Sequence, residues 1–228
     1  GHVSSRDDGG ASGDGTVTHR APLEGRLLVE AGGDVVVLAA FADTPARALA
    51  LIERSSRAPF PAFARKRRSH DGRRLARARR PSPRLSGVGK LYARSLLTLD
   101  LLTDRATGAT IAAPELDPGF TRSGGYGFVW PRDLAYVVLG LLAAGRGDMA
   151  ASALRWLARH QAPEGLWLQR YWTDGSLAPS WGLHQVDETG AALFAYEAAW
   201  RELGDHDLDC ELWPSARTAA DLLSRFVD

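Results

Sequence analysis

The chain has 228 residues, 45% of them hydrophobic, and a formal net charge of +1. These values are ordinary for a globular protein, and they exclude a chain whose overall net charge would favour binding to polyanions. Cys210 has no second cysteine to pair with, which excludes an intrachain disulfide. The longest apolar stretch, residues 134–145, is too short for a membrane span. We therefore expect a cytoplasmic protein with no membrane partner.

The first part of the chain changes character twice. Residues 1–16 are rich in Gly, Ser and Asp, so we expect disorder or a tag remnant. Within residues 25–42, two apolar runs flank a Gly-Gly-Asp turn, which predicts a β-hairpin. Thr44 and Pro45 then predict the N-cap and first residue of a helix. Because an isolated hairpin is marginally stable, we assign residues 17–58 to the remnant of a larger sheet.

A basic segment follows at residues 65–84, where ten residues are Arg or Lys. Such a run is one signature of a nucleic-acid or phosphate patch. The segment has no aromatic residue that could stack on bases and matches no nucleic-acid-binding motif. We favour a solvated linker or surface helix, with residues 59–84 as a basic linker, over nucleic-acid binding.

From residue 85 onward, apolar residues recur at helical spacing in five segments. The predicted helices lie within residues 86–104, 134–145, 148–161, 186–203 and 214–228. Nearly all-apolar segments alternate with amphipathic ones, which indicates two concentric layers of helices. The fold class is therefore mainly α.

Two long loops, each ahead of a nearly apolar helix, carry most of the aromatic and polar residues. Loops of this length are uncommon unless they are functional. Aromatic faces beside Arg, Asp and Gln side chains are typical of carbohydrate binding, because hydroxyl groups favour charge-assisted hydrogen bonds. We expect Trp156 and Trp200, on helix faces, to be core residues instead. The loop residues concerned are Tyr126, Phe128, Trp130, Arg132, Asp133, Trp167, Gln169, Arg170, Tyr171, Trp172, Trp181, Gln185 and Asp187.

Two motifs in these loops resemble those of glycoside hydrolase family 15, which includes glucoamylases, glucodextranases and some trehalases. They are "GGYGFVWPRD" and "WLQRYWTDGSLAPSWGLHQVDETG". The resemblance covers residues 85–228 and implies the N-terminal portion of an (α/α)₆ barrel. Bacterial members carry a β-sandwich domain ahead of the barrel, and the predicted hairpin would be the tail of that sandwich.

The first motif implies a sugar-binding role for Trp130, Arg132 and Asp133. In the family, the Arg-Asp pair grips the hydroxyl groups of the non-reducing terminal glucose. The planar guanidinium of Arg132 donates in a fork, and Asp133 accepts hydroxyl hydrogens. The alternative is that Asp133, near a helix N-terminus, acts as a cap; we favour the sugar contact.

The second motif implies that Trp181 lines the pocket and that Gln185 and Asp187 support it. Glu188 is a low-ranked candidate for catalysis. An inverting glycosidase needs two carboxyl groups about 6.5–9.5 Å apart with a water between the base and the sugar. Neighbouring residues on a helix point about 100° apart, so Asp187 and Glu188 cannot serve as that pair.

The resemblance implies an inverting hydrolase that releases glucose from the non-reducing ends of α-glucans or related α-glucosides. Neither the acid nor the base motif of the family is found, so we expect an inactive fragment of a longer enzyme. A non-catalytic carbohydrate-binding or partner-binding helical module is the alternative. We expect no cofactor and no metal ion. Linkage preference (α-1,4, α-1,6 or α,α-1,1) and oligomeric state remain open.

Overall fold

The structure is a computed structural model. It describes residues 3–4, 28–29, 38–40, 42, 44–82, 87–115, 125–179, 182 and 184–226. Contacts between Cα atoms divide the chain into two units, residues 1–70 and residues 71–228. The described part is mainly helical, as predicted, with seven α-helices. None of these helices is both long enough and apolar enough to cross a membrane.

The first unit contains a short antiparallel ladder. Strand β1 (Val3–Ser4) pairs with β2 (Leu28–Val29), with Val3 opposite Val29. The strand partner of β2 therefore comes from the segment for which the composition predicts disorder. Most of the predicted hairpin at residues 25–42 lies outside the described residues, so the hairpin stays a prediction.

Helix α1 (Pro45–Ser56) begins where the sequence predicts. Thr44 is its N-cap, and the Thr44 side chain accepts a hydrogen bond from the Arg47 backbone amide at 3.3 Å. Pro45 fits the first position because its missing N–H would have no helical partner there. Helix α2 (Phe60–Leu75) covers about half of the basic segment, and neither α1 nor α2 contains a buried residue.

One arginine of the basic segment belongs to a buried ion cluster. Arg74 pairs with Asp100 of α3 (Gly89–Leu102), and Arg105 approaches the same carboxylate at 3.2 Å. The Asp100 side chain is only 4% exposed. A buried carboxylate needs such partners because an unpaired charge is poorly solvated there. Arg74 therefore balances the charge of a buried carboxylate within the protein.

Four further helices form the core of the second unit. They are α4 (Pro131–Ala143), α5 (Gly147–Arg159), α6 (Val186–Leu203) and α7 (His206–Leu223), and a 3₁₀ turn follows at Ser224–Phe226. Helices α4 and α6 pack together, α5 packs on both, and α7 packs on α5 and α6. The buried cluster includes Leu134, Val138, Trp156, Tyr196 and Leu212. The nearly apolar helices thus lie against amphipathic ones, and closure into an (α/α)₆ barrel stays a prediction.

Helix α7 begins eight residues earlier than the sequence predicts. Asp205 is its N-cap, and the Asp205 carboxylate accepts a hydrogen bond from the Leu208 amide at 3.1 Å. Pro214, which the sequence pattern suggests as the first residue, lies inside the helix. A proline there normally ends or kinks a helix. Burial of Leu208 and Leu212 on the earlier turns favours continuation of the helix.

Candidate sugar-binding site

The two predicted loops lie side by side. Val129 and Tyr171 exchange backbone hydrogen bonds of 2.9 and 2.8 Å, and Leu168 forms a second antiparallel bridge with His184. These pairings satisfy backbone groups that would otherwise be buried without partners. They also bring the segment before α4 next to the segment before α6. The helix N-termini that carry the two motifs are thereby placed close together.

Arg132 is the residue at which the two motifs meet. Its Nη1 lies 2.5 Å from Asp187 Oδ2 and 3.5 Å from Glu188 Oε1. Its Nη2 lies 3.7 Å from Asp133 Oδ2. The side chains of Arg132, Asp133 and Asp187 are 35%, 40% and 59% exposed, so a ligand can reach these three members of the cluster.

The pKa values of Arg132 and Asp133 are both raised, but for different reasons. The hydrogen bond that Arg132 donates to Asp187 is the main reason that the pKa of Arg132 is raised, and the three carboxylates add to it against the effect of burial. Burial raises the pKa of Asp133, and the nearby Arg132 charge only partly opposes this. Arg132 therefore stays charged, while Asp133 is protonated more readily than an ordinary aspartate.

Asp133 is not the N-cap of α4. The N-cap is Trp130, whose side chain makes no capping hydrogen bond, and Asp133 lies in the first turn. The Asp133 carboxylate interacts with its own backbone amide. Within the described part of the chain, its buried Oδ2 accepts no hydrogen bond. The Asp133 side chain as a whole is nevertheless 40% exposed, so a ligand can approach this carboxyl group from its open side.

Glu188 is fully buried at the start of α6. Its Oε2 accepts a hydrogen bond of 2.5 Å from the Arg132 backbone amide. Burial raises the pKa of Glu188 to about 7, although this hydrogen bond and the Arg132 charge act in the opposite direction. A pKa near neutrality suits a general acid. A side chain with no exposed surface, however, is poorly placed to reach a glycosidic oxygen, so its contacts favour a positioning role.

Aromatic rings continue from this cluster across the paired loops. Trp130 is 6% exposed and contacts the ring of Tyr126 edge-on at 5.1 Å. Phe128 contacts Trp172 in the same manner at 4.8 Å. Tyr126 and Trp172 are 41% and 40% exposed, so their rings are available to a ligand. Such rings provide apolar area together with a polar edge, which suits the faces of a sugar.

Arg170 holds this aromatic group together, and the sequence motifs assign it no role. Its guanidinium carbon lies 4.5 Å from the centre of the Phe128 ring and 5.8 Å from that of Trp130. Its Nε donates to the Pro179 carbonyl oxygen. Burial lowers the pKa of Arg170. A cation stacked on two rings stabilises their orientation. An Arg flanked by aromatics in a loop is the sequence signal that could have indicated this contact.

The remaining predicted residues differ in their placement. Trp181 lies outside the described residues. Gln185 is the N-cap residue of α6 and is half-buried. Trp167, which the sequence groups with the sugar-binding aromatics, has no exposed surface and donates a 2.9 Å hydrogen bond to the Leu157 carbonyl oxygen. Trp167 is therefore a core residue, because its polar edge is already satisfied inside the protein.

A cavity of about 280 Å³ lies near this cluster without including it. Its lining is almost entirely apolar and comes from Leu166, Trp167, His184, Gln185, Val186, Thr189, Leu222, Leu223 and Phe226. A sugar needs several hydrogen-bonding partners when it leaves water. The Arg132 cluster, although more open, is therefore the better candidate for sugar binding. Among the described residues, no group of three or more His, Cys, Asp or Glu is arranged to hold a metal ion.

Comparison with known proteins agrees with this chemistry. Residues 88–164 match the family described as glycosyl hydrolases family 15. An uncharacterized glycosyl hydrolase of Methanocaldococcus jannaschii is 31% identical over 144 residues, which are 62% of this chain and 22% of that protein. A glucoamylase of Clostridium sp. is 35% identical over 106 residues, which are 44% of this chain and 15% of that protein. The chain thus spans less than a quarter of the curated relatives it matches.

Proposed function

We propose that this chain supplies part of the glucose-binding site of a glucoamylase-like hydrolase, since residues 88–164 match glycosyl hydrolases family 15 and the two relatives are named a glycosyl hydrolase and a glucoamylase. The whole enzyme would cleave α-glucosidic bonds with inversion and release glucose from non-reducing ends. The observation that carries this proposal is the contact of Arg132 with Asp187 across the two motifs.

The geometry supports recognition of a polyhydroxylated ring. Arg132 provides N–H donors, and Asp133 and Asp187 provide acceptors within one cluster. Charge-assisted hydrogen bonds of this kind are stronger and more directional than neutral ones. Tyr126 and Trp172 add exposed rings on the adjoining loops. Together these groups would hold the terminal sugar by its hydroxyl groups and one of its faces.

Proton transfer is assigned to other residues. Glu188 is buried, and Asp187 is bound to Arg132. Glu188 and Asp187 are therefore not suited to act as the acid and base on opposite sides of a glycosidic bond. We therefore infer that the catalytic acid and base lie outside the matched segments, which are 22% and 15% of the two relatives. A non-catalytic carbohydrate-binding module is the second candidate, and the burial of Glu188 is the observation that favours it.

Replacement of Arg132 tests the proposed site. We expect Arg132→Ala to weaken binding of the iminosugar 1-deoxynojirimycin at least 10-fold, since a lost hydrogen bond to a charged group corresponds to about 1.5–3 kcal/mol. Arg132→Lys should also bind weakly, because lysine keeps the charge but loses the fork. Isothermal titration calorimetry on the full chain measures both, with unfolding temperature as the check on folding.

Arg201→Ala is the matched control, because Arg201 is 71% exposed and pairs only with its neighbour on α6, Glu197, among the ion pairs of the described residues. Equal affinity of the wild type and folded Arg132→Ala would contradict the proposed site. Release of glucose from maltotriose by the chain alone would instead show that it contains its own acid and base. Sugar binding without any such release is the expected result.

A further inference from the structure

The N-cap residue of helix α4 leaves the Arg132 amide without a partner from the same helix. Its N-cap residue, Trp130, makes no capping hydrogen bond with its side chain, and Pro131 at the first position has no N–H. The Arg132 amide is therefore the first donor of the helix that needs a partner outside it. In the structure this donor is satisfied by Glu188, which comes from another helix 56 residues later in the chain.

Glu188 also approaches the side chain of the residue whose amide it accepts. Its Oε1 lies 3.5 Å from Arg132 Nη1, to which Asp187 Oδ2 is bonded at 2.5 Å. The Nη1 edge of the guanidinium is thus held by two carboxylates from the first turn of α6. The Nη2 edge faces Asp133, at 3.7 Å. The Arg132 Nη2 group and the Asp133 carboxyl group therefore lie together, on the side that we assign to the ligand.

We propose that Glu188 is a positioning residue that joins the first turns of α4 and α6 and thereby presents Arg132 Nη2 and the Asp133 carboxylate together to the sugar. The inference rests on the proposed function and deepens it. It requires no contact between Glu188 and the ligand, which agrees with the complete burial of the Glu188 side chain. A pre-oriented donor and acceptor bind more tightly because less freedom is lost on binding.

The surroundings of Glu188 make this role sensitive to pH. The charged or titratable groups that face it are Arg132 and Asp133 from α4, Asp187 from its own helix, and the Tyr171 hydroxyl from the loop. Arg132 favours the ionised carboxylate, whereas burial and the two aspartates favour the protonated form. Since the pKa of Glu188 lies at about 7, the hold on Arg132 strengthens as pH rises through neutrality.

The test compares Glu188 variants in the full chain by calorimetric titration with 1-deoxynojirimycin. At pH 8 we expect Glu188→Ala to lose about 10-fold or more in affinity, as expected when a charged partner is removed. Glu188→Gln keeps an oxygen that can accept from the Arg132 amide but loses the charge. We therefore expect its affinity to fall by about 3-fold. Glu197→Gln is the matched control on the same helix and should bind as the wild type does; its carboxylate pairs with Arg201 instead.

The pH profile separates positioning from a purely structural role. The ratio of wild-type to Glu188→Gln affinity should rise between pH 6 and pH 8, because ionisable ligand and protein groups other than Glu188 are common to both proteins. A constant ratio, or wild-type affinity in folded Glu188→Gln at pH 8, would overturn the inference. The Glu188→Gln comparison remains decisive even if Glu188→Ala fails to fold. A wild-type chain that binds no iminosugar would overturn the proposed function itself, and the inference with it.

Discussion

The carboxyl group of Glu188 lies at a buried position, where its ionised form is poorly solvated. The side chain has no exposed surface, and its pKa is raised from 4.5 to about 7, mainly by burial. A raised pKa means that the folded protein binds the proton more tightly than the unfolded chain does. This contribution to stability is complete below pH 4.5 and is lost as pH rises through 7. Ionisation of Glu188 in the folded protein therefore lowers the free energy of unfolding.

The stability of the wild type should accordingly depend on pH in a way that Glu188→Gln does not. Between pH 5 and pH 8, we expect the free energy of unfolding of the wild type to fall relative to that of the variant. The difference is at most about 3 kcal/mol, since one pKa unit corresponds to about 1.4 kcal/mol. Urea denaturation at several pH values measures it. Parallel curves for the two proteins would show that Glu188 does not titrate in this range.

For individual residues, the sequence predicts membership of a common site better than it predicts burial. The two motifs place Arg132 and Asp187 in one site, and the structure joins them at 2.5 Å. The burial of Glu188 and Trp167 depends on the packing of α6 against α4 and α5, which local periodicity does not contain. Trp167 lies in a loop that also carries polar residues, and yet its indole faces the core.

Among the helices, α5 owes its position partly to a glycine in the turn after α3. Gly108 has a φ of +87°, a conformation that L side chains rarely adopt. A Cβ atom added there would lie 2.5 Å from the Ser152 carbonyl oxygen of α5. The absent side chain thus allows the turn to approach the helix backbone closely.

We expect Gly108→Ala to lower the free energy of unfolding by about 2 kcal/mol or more, since the left-handed conformation alone costs roughly 1–2 kcal/mol in a residue with a side chain. Gly140→Ala in α4 is the matched control. An added Cβ there meets nothing within 4 Å, so alanine should stabilise the helix by up to about 1 kcal/mol. Chemical denaturation of both variants checks the two signs. A stable Gly108→Ala protein would mean that the turn shifts away from α5.

Helix boundaries were predicted well where capping and periodicity agree, and less well where a proline intervenes. Thr44 and Pro45 mark the start of α1 correctly. Pro214 is a misleading signal, because α7 already begins at His206 and continues through the proline. The preceding turns bury Leu208 and Leu212, which supplies apolar burial that a propensity argument leaves out. Tertiary packing thus overrides a local helix breaker at this position.

Across the whole molecule, buried surface is distributed very unevenly among the helices. Helices α1 and α2 contain no buried residue, whereas α4, α5 and α6 each contain five or more. Helices of 12 and 16 residues that contain no buried residue are close to the length at which isolated helices are marginal in water. The packed helices gain stability from a buried apolar face, whereas α1 and α2 contain no buried residue. Opening of α1 therefore requires far less free energy than opening of α6.

Hydrogen exchange measured by mass spectrometry should resolve this difference directly. We expect amides of α1 and of the first turns of α2 to exchange through local opening, at least 100-fold faster than those of α4 and α6. The slowest amides should follow the core around Leu134, Trp156 and Tyr196, and low concentrations of urea should affect them through global unfolding. Equal protection of α1 and α6 would contradict this view, because it would require apolar burial of α1 that its described residues do not have.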